Sequence, residues 1–266
     1  QKARSTPEEV FIANSSRVQE ALRVIEEFTR ITDPKLCETA TKIRYKTYEI
    51  EINVLSATEG IKKRQTLKDS SLCLITTNKV DLEKIVIQAL KAGVKLVQYR
   101  EKFLSDYEKV AQAKSLNSIC KKYNSLLIVN DRIDIALAVD ADGVHLGQDD
   151  IPAKIARELI GSEKIIGRST HCIEDIKNAE EEGCDYIGIG PIFHSKTKKQ
   201  LNPIGIDYLK KGLNETLLPA FAIGGINSSN INQLNQLNDL RIAVSNAIIN
   251  SNNPFAKTEE LLKFLI

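Results

Sequence analysis

The sequence contains no methionine and no tryptophan, and only 5% of its 266 residues are aromatic. It also lacks any apolar run near the roughly 20 residues that would cross a bilayer, and no signal peptide opens it. A membrane span is therefore not expected. Net charge is nearly absent: 37 basic residues against 35 acidic ones leave +2. So small a charge creates no global field for nucleic acid, and an anionic ligand must be met by local charge in a pocket. The five cysteines, Cys37, Cys73, Cys120, Cys172 and Cys184, make no CxxC pair and no even framework. A reducing, cytoplasmic compartment fits them better than secretion, and buried thiols are the ordinary reading of Cys73 and Cys184. The chain opens on Gln1 in mid-pattern, and the natural protein is expected to begin further upstream.

What is present falls into two grammars. From Pro7 to Arg30 the apolar residues Val10, Ile12, Val18, Leu22, Ile25 and Phe28 recur at helical spacing, with Asn14, Ser15 and Ser16 as cap candidates. Asp33-Pro34 reads as a cap and first-turn proline for a second helix toward Glu59 and Gly60. Residues 1–65 are thus expected to be a helical hairpin, with a polar linker over Ile61–Ser70.

Residues 66–266 read differently. Short apolar runs stand at Ser71–Thr77, Lys95–Arg100, Ser125–Asn130, Gly143–Gly147, Ile165–Thr170, Tyr186–Ile192, Pro219–Gly224 and Arg241–Ile248. Amphipathic stretches such as Leu82–Ala92, Asp106–Lys122, Ala153–Ile160 and Glu174–Gly183 separate them. Alternating buried strands and helices imply parallel βαβ units, and eight of them favour an α/β fold of the (β/α)8 TIM-barrel type. A doubly wound sheet stays open, although no GxGxxG follows the first strand.

A barrel of this kind carries its site at the C-terminal ends of its strands, and polar residues cluster where the apolar runs stop. Arg100, Lys102 and Lys198 supply cations, while Asp131 and Asp150 supply carboxylates beside Asn130. Two acids with no accompanying thiolate suit Mg2+, and the cations suit a pyrophosphate. Gly224-Gly225 allows close backbone approach, so a second phosphate is expected between the last two strand ends, with a helix starting at Asn227 or Ser228. No activated serine or cysteine nucleophile is visible. His145 lies inside an apolar run and reads first as a packed histidine bordering the pocket, with proton transfer as the lesser alternative. His171 is expected beside the site and His194 in solvent.

At these segments the sequence becomes specific. QYREK at Gln98–Lys102, VNDRIDIALAVDADGVHLGQDD at Val129–Asp150, IIGRSTH at Ile165–His171, GIGPIFHSKTKK at Gly188–Lys199 and AIGGI at Ala222–Ile226 resemble the thiamin phosphate synthases. The resemblance implies Mg2+ on Asp131 and Asp150, and a pyrophosphate grip by Arg100, Lys102, Asn130 and Lys198. It implies Gln98 and Ser169 facing the pyrimidine, and Ser195, Thr197, Gly225, Ser245 and Asn246 holding a thiazole phosphate. The implied reaction joins a pyrimidine pyrophosphate to a thiazole phosphate by dissociative loss of pyrophosphate. A homo-oligomer stays open, as do a thiazole tautomerase-like paralogue and a non-catalytic binder of the same ligands. The joint presence of the five charged residues argues against both of the last two. His194 stands where the family has proline, and Ser195 where threonine is common, so an altered loop is expected. ANSSRVQEALRVIEEFTR at Ala13–Arg30 resembles a helical module fused ahead of the synthase in some bacteria and linked to phosphorylating the pyrimidine. Its charges at i,i+3 and i,i+4 are also what a solvated helix shows.

Overall fold

Strands of four to six residues, buried along nearly their whole length, need partners on both sides, and in this chain they find them by closing on themselves. The computed structural model describes residues 6–194 and 202–265. Two long helices come first, α1 (Pro7–Thr32) and α2 (Pro34–Lys68). The alternation then runs β1 (Leu72–Ile75), α3 (Leu82–Lys91), β2 (Leu96–Tyr99), α4 (Asp106–Lys122), β3 (Leu126–Asn130), α5 (Ile133–Ala138), β4 (Gly143–Leu146) and α6 (Ala153–Ile160). It continues through β5 (Ile165–Thr170), α7 (Ile173–Glu181), β6 (Tyr186–Ile189), α8 (Gly205–Asn214), β7 (Ala220–Ile223), β8 (Arg241–Val244), α9 (Asn246–Ile249) and α10 (Pro254–Lys263). All eight strands are parallel, each pairs with the next, and β8 pairs with β1, which closes the barrel and excludes the open sheet.

Strand register sorts side chains by face. Cys73, Ile75, Leu96, Leu126, Ile128, Ile165, Tyr186, Phe221 and Ala243 form one buried cluster inside the barrel. Leu74, Val97, Leu127, Val144, Ile166 and Ile187 belong to the larger cluster against the surrounding helices. The period of two along each strand produces this division. Nearest the C-terminal ends the inward positions turn polar, with Gln98, Asn130, His145 and Ser169.

The chain divides into two compact units, residues 1–61 and 62–266. The expected linker over Ile61–Ser70 is overturned: α2 runs through Gly60 and continues to Lys68. Its last two turns are held within the barrel unit. Leu67 is 1% exposed and joins the cluster inside the barrel. Arg64 Nε donates to Asp185 at 2.7 Å, and Lys63 Nζ lies 3.7 Å from Asp142. Polar residues there are partners for buried carboxylates, and these contacts outweigh the helix-weakening glycine.

In the first unit, α1 starts earlier than expected. Thr6 caps it, accepting from Glu9 N–H at 3.2 Å, with Pro7 in the first turn. Ser16 lies inside the helix, donating back to the Ile12 carbonyl at 2.9 Å. The seam between α1 and the matching part of α2 is polar. Arg44 pairs with Glu26 at 3.0 Å, both mostly covered, and Gln19 donates to Glu51 at 2.5 Å. Glu26 is therefore drawn into the seam and is not simply solvated. Phe28 and Ile31 face outward, 80% and 91% exposed.

Candidate active site

The polar strand ends surround a cavity of about 450 Å³. Gln98 is the last but one residue of β2, Asn130 ends β3, and His145 and Ser169 come from β4 and β5; all four line it. Gln98 Nε2 donates to Asn130 Oδ1 at 2.5 Å, which ties the two amides together and leaves the Asn130 N–H groups as donors. Ser169 Oγ lies 2.9 Å from His145 Nε2, and Tyr186 Oη lies 3.0 Å from His145 Nδ1. Arg100 lines the same cavity, its backbone N–H donating to the Thr76 hydroxyl at 2.9 Å.

The opposite wall carries Gly224, Gly225, Ser245 and Asn246. Gly225 has φ +71°, and a Cβ there would stand 2.4 Å from the His194 carbonyl oxygen, so only glycine fits. Asn227 and Asn230 both donate to the Gly225 carbonyl at 2.9 Å. No helix starts at Asn227 or Ser228. The Asn227 side chain accepts from Ser229 N–H instead, and only a 3-10 turn follows at Ile231–Leu234. The Ser245 hydroxyl is shielded from solvent and has no hydrogen-bond partner among the described residues. A buried, unsatisfied hydroxyl facing a cavity is a place where a ligand oxygen would be welcome.

Beyond these lining residues, Asp131 and Asp150 stand side by side. Asp131 holds φ +63°, an uncommon backbone state that aspartate tolerates, fixed by its N–H donating to the His145 carbonyl at 2.9 Å. Asp150 is oriented by Gly147 N–H, 2.6 Å from its Oδ2. Burial first, and then the neighbouring Asp150 charge, push Asp131 above the usual carboxylate range, while Lys102 and Arg100 pull it back. Two carboxylates that repel each other beside two cations form a hard-oxygen site that a divalent cation would relieve. Among the described residues no group of three or more His, Cys, Asp or Glu is arranged to hold a metal. A pair is nonetheless compatible with Mg2+, which keeps waters and takes substrate oxygens.

Ser195, Thr197 and Lys198 lie outside the described residues. His171 is half-buried at the cavity edge, its Nδ1 2.5 Å from the Gly190 carbonyl, and His194 is exposed at the rim. Sequence reasoning missed two contributors. One is Tyr186, hidden in an apolar strand; the other is Arg132, which binds Asp106 at 2.7 and 3.0 Å and steadies the loop bearing Asp131. The signal for Tyr186 was a bulky phenol one strand away from Gly167, its register partner.

Comparison with known proteins fits this geometry. The thiamine monophosphate synthase family matches residues 72–248, and the ThiD2 family matches residues 1–53. The thiamine-phosphate synthase of Prochlorococcus marinus (strain MIT 9313) is 53% identical over 270 residues, covering all of this chain and 76% of that protein. That of strain MIT 9303 is 52% identical with the same coverage. The thiamine phosphate pyrophosphorylase from Pyrococcus furiosus superposes with a TM-score of 0.66 at 33% identity, over 77% of this chain and 97% of its own. With a closed parallel barrel, a cavity at its C-terminal rim and identities of this size over the full length, the chain belongs to the thiamine-phosphate synthase family.

Proposed function

We propose that this chain condenses an aminomethylpyrimidine pyrophosphate with a thiazole phosphate ester, giving thiamine phosphate and pyrophosphate. The observation that carries the reading is the pairing of Asp131 and Asp150 beside Arg100 and Lys102 at the rim of a cavity whose far wall holds Gly225 and Ser245. One side is built for a pyrophosphate with a divalent cation, and the other accommodates a second phosphate. Asp131 and Asp150 would hold Mg2+, which when bound neutralises charge on the departing pyrophosphate.

The protein's own residues do the rest. Arg100, Lys102 and the N–H groups of Asn130 grip the pyrophosphate, and Lys198 completes that grip. Because they sit where negative charge grows as the C–O bond breaks, they stabilise the transition state more than the ground state. The bonding pair leaves with pyrophosphate, and a pyrimidinylmethyl cation remains between Gln98 and Ser169. Ser195, Thr197, Gly225, Ser245 and Asn246 hold the thiazole phosphate so that the ring nitrogen lone pair faces that carbon. Formation of the C–N bond then completes the product, and no general base is needed. Proximity of the two rings supplies an entropic share of the rate.

We also propose a division of labour, with residues 1–65 as a helical module and 66–266 as the synthase barrel; its border lies within α2. The match of residues 1–53 to the ThiD2 family supports the first assignment. A cytoplasmic setting is proposed on the five free cysteines, and no described helix is long and apolar enough to cross a membrane.

The test is product formation from the two purified substrates, with and without Mg2+. Asp131→Ala and Lys198→Ala are each expected to cost about 10^2-fold or more in kcat. Near-normal turnover in both would overturn the assignment.

A further inference from the structure

A hydrogen-bonded chain runs from the barrel interior to the cavity, and the reaction as described uses only its last member, Ser169. Three inward side chains from consecutive strands form it: Tyr186 Oη lies 3.0 Å from His145 Nδ1, and His145 Nε2 lies 2.9 Å from Ser169 Oγ. Register sets the spacing, since His145 pairs with Gly167 and Gly167 pairs with Tyr186. Gly167 makes room for the phenol; a Cβ at that position would stand 2.1 Å from Tyr186 Cζ. Phe221 meets the other side of the Tyr186 ring edge-on, with centroids 5.7 Å apart. The ring is thereby wedged in place.

The chain has a direction. Tyr186 is 2% exposed, and burial raises its hydroxyl well above the ordinary phenol range, so it remains O–H at any working pH. Among the described residues, that hydroxyl has one hydrogen-bond partner, His145 Nδ1. Leaving a buried O–H without an acceptor costs about 1–3 kcal/mol, so the phenol donates. His145 Nδ1 then accepts, which puts the imidazole proton on Nε2. That Nε2–H donates to Ser169 Oγ, and the serine's own proton is left to point into the cavity.

We infer that Tyr186 and His145 are positioning residues that fix the polarity of Ser169, making it an obligate hydrogen-bond donor to an unprotonated ring nitrogen of the substrate. The inference rests on the reading above that Ser169 faces the pyrimidine. An isolated serine rotates to suit either a donor or an acceptor, whereas this one selects a neutral aza-aromatic ring over a C–H or N–H ring. That selection has a chemical use. A protonated pyrimidine already carries positive charge and resists becoming a carbocation, so admitting only the neutral ring favours the dissociative step.

The experiment has two arms on the full chain. Nitrogen-15 imidazole spectra are tractable because the sequence holds only three histidines. In the unaltered protein, His145 should show a protonated Nε2 and a bare Nδ1; a protonated Nδ1 would overturn the inference, and this arm does not depend on any variant folding. The second arm compares the pyrimidine pyrophosphate with analogues in which either ring nitrogen is replaced by C–H. The unaltered enzyme should favour the native ring over one of them by 10- to 100-fold in kcat/KM. Tyr186→Phe, which keeps the ring and loses the hydroxyl, should narrow that ratio to about threefold or less. Equal losses against native ring and analogue would mean a merely structural role and refute the positioning claim. The expected tautomer without any discrimination by the unaltered enzyme would instead sink the placement of Ser169 on the pyrimidine, and this role with it.

Discussion

Leu67 is the perturbation that most directly tests how the barrel is sealed. It comes from the last turn of α2, is 1% exposed, and packs with Cys73, Leu96, Leu126 and Ile165 inside the strands. Leu67→Ala removes three carbons, which at about 0.8 kcal/mol each amounts to about 2.4 kcal/mol of lost transfer energy. The strands around it are locked by their ladder and can collapse only partly. A residual void of about 50 Å³ at about 24 cal/mol per Å³ contributes about 1.2 kcal/mol more. The total, about 3.6 kcal/mol, corresponds to a fall in Tm of about 7 to 14 °C for a unit of this size. Thermal unfolding followed by far-UV circular dichroism reads it directly. Arg64→Ala provides the contrast. Its side chain is a third exposed, so solvent screens the pair with Asp185, and the fall should be smaller than for Leu67→Ala. A shift below about 2 °C for Leu67→Ala would show that this side chain does not fill the barrel.

Other outcomes follow from the same geometry. Gly225→Ala forces a Cβ against the His194 carbonyl at a backbone angle few side chains adopt, at a cost of about 1–3 kcal/mol. KM for the thiazole phosphate should rise by about tenfold or more, while that for the pyrimidine changes little; parallel changes under steady-state kinetics would refute the separation of the two walls. Asp106 is held at about 2 by its hydrogen bonds with Arg132, and then by Lys109. A depressed carboxylate gives its full stabilisation above its ordinary 3.8 and loses it as pH falls through about 2. Asp106→Asn should therefore flatten the dependence of the urea midpoint on pH between those values, and identical acid limbs would show that the pair is silent. Phe28→Ser, at a side chain 80% exposed, should change unfolding free energy by no more than about 0.5 kcal/mol. A larger loss in a urea titration would mean that something covers that face.

The barrel was legible because its strands are buried on both faces and read as unbroken apolar runs. Ile165–Thr170, Asp106–Lys122 and Ala153–Ile160 run between the same residues in sequence and structure. What sequence could not reveal is set by partners far along the chain. Lys63 and Arg64 look like linker residues until Asp142 and Asp185 are brought beside them, the latter 121 positions from Arg64. Asn14–Ser16 look like a cap until Thr6 and Pro7 are seen to start the helix sooner. At the site, the polar rim residues were legible one by one from their places after apolar runs. Their coupling was not. Nothing local says that His145 joins Ser169 to Tyr186, since that contact exists only when three consecutive strands lie in register.

The alternation that made the strands legible also explains why the site has a dry base and a wet rim. Each strand sends every second residue inward. The N-terminal inward positions, Cys73, Leu96, Leu126 and Ile165, are apolar and close over Leu67. Toward the C-terminal ends Gln98, Asn130, His145 and Ser169 line the cavity, and the buried Tyr186 hydroxyl meets His145 behind that lining. The Tyr186–His145 hydrogen bond is therefore shielded by the hydrocarbon cluster that surrounds the phenol, which strengthens it and raises the cost of leaving it unmade. Water that reached Tyr186 from the base would offer its hydroxyl another partner, and the direction of the chain through His145 would be lost. The apolar plug and the polar relay are thus parts of one device: the seal at the bottom of the barrel is what allows a single tyrosine to dictate which proton Ser169 presents at the top.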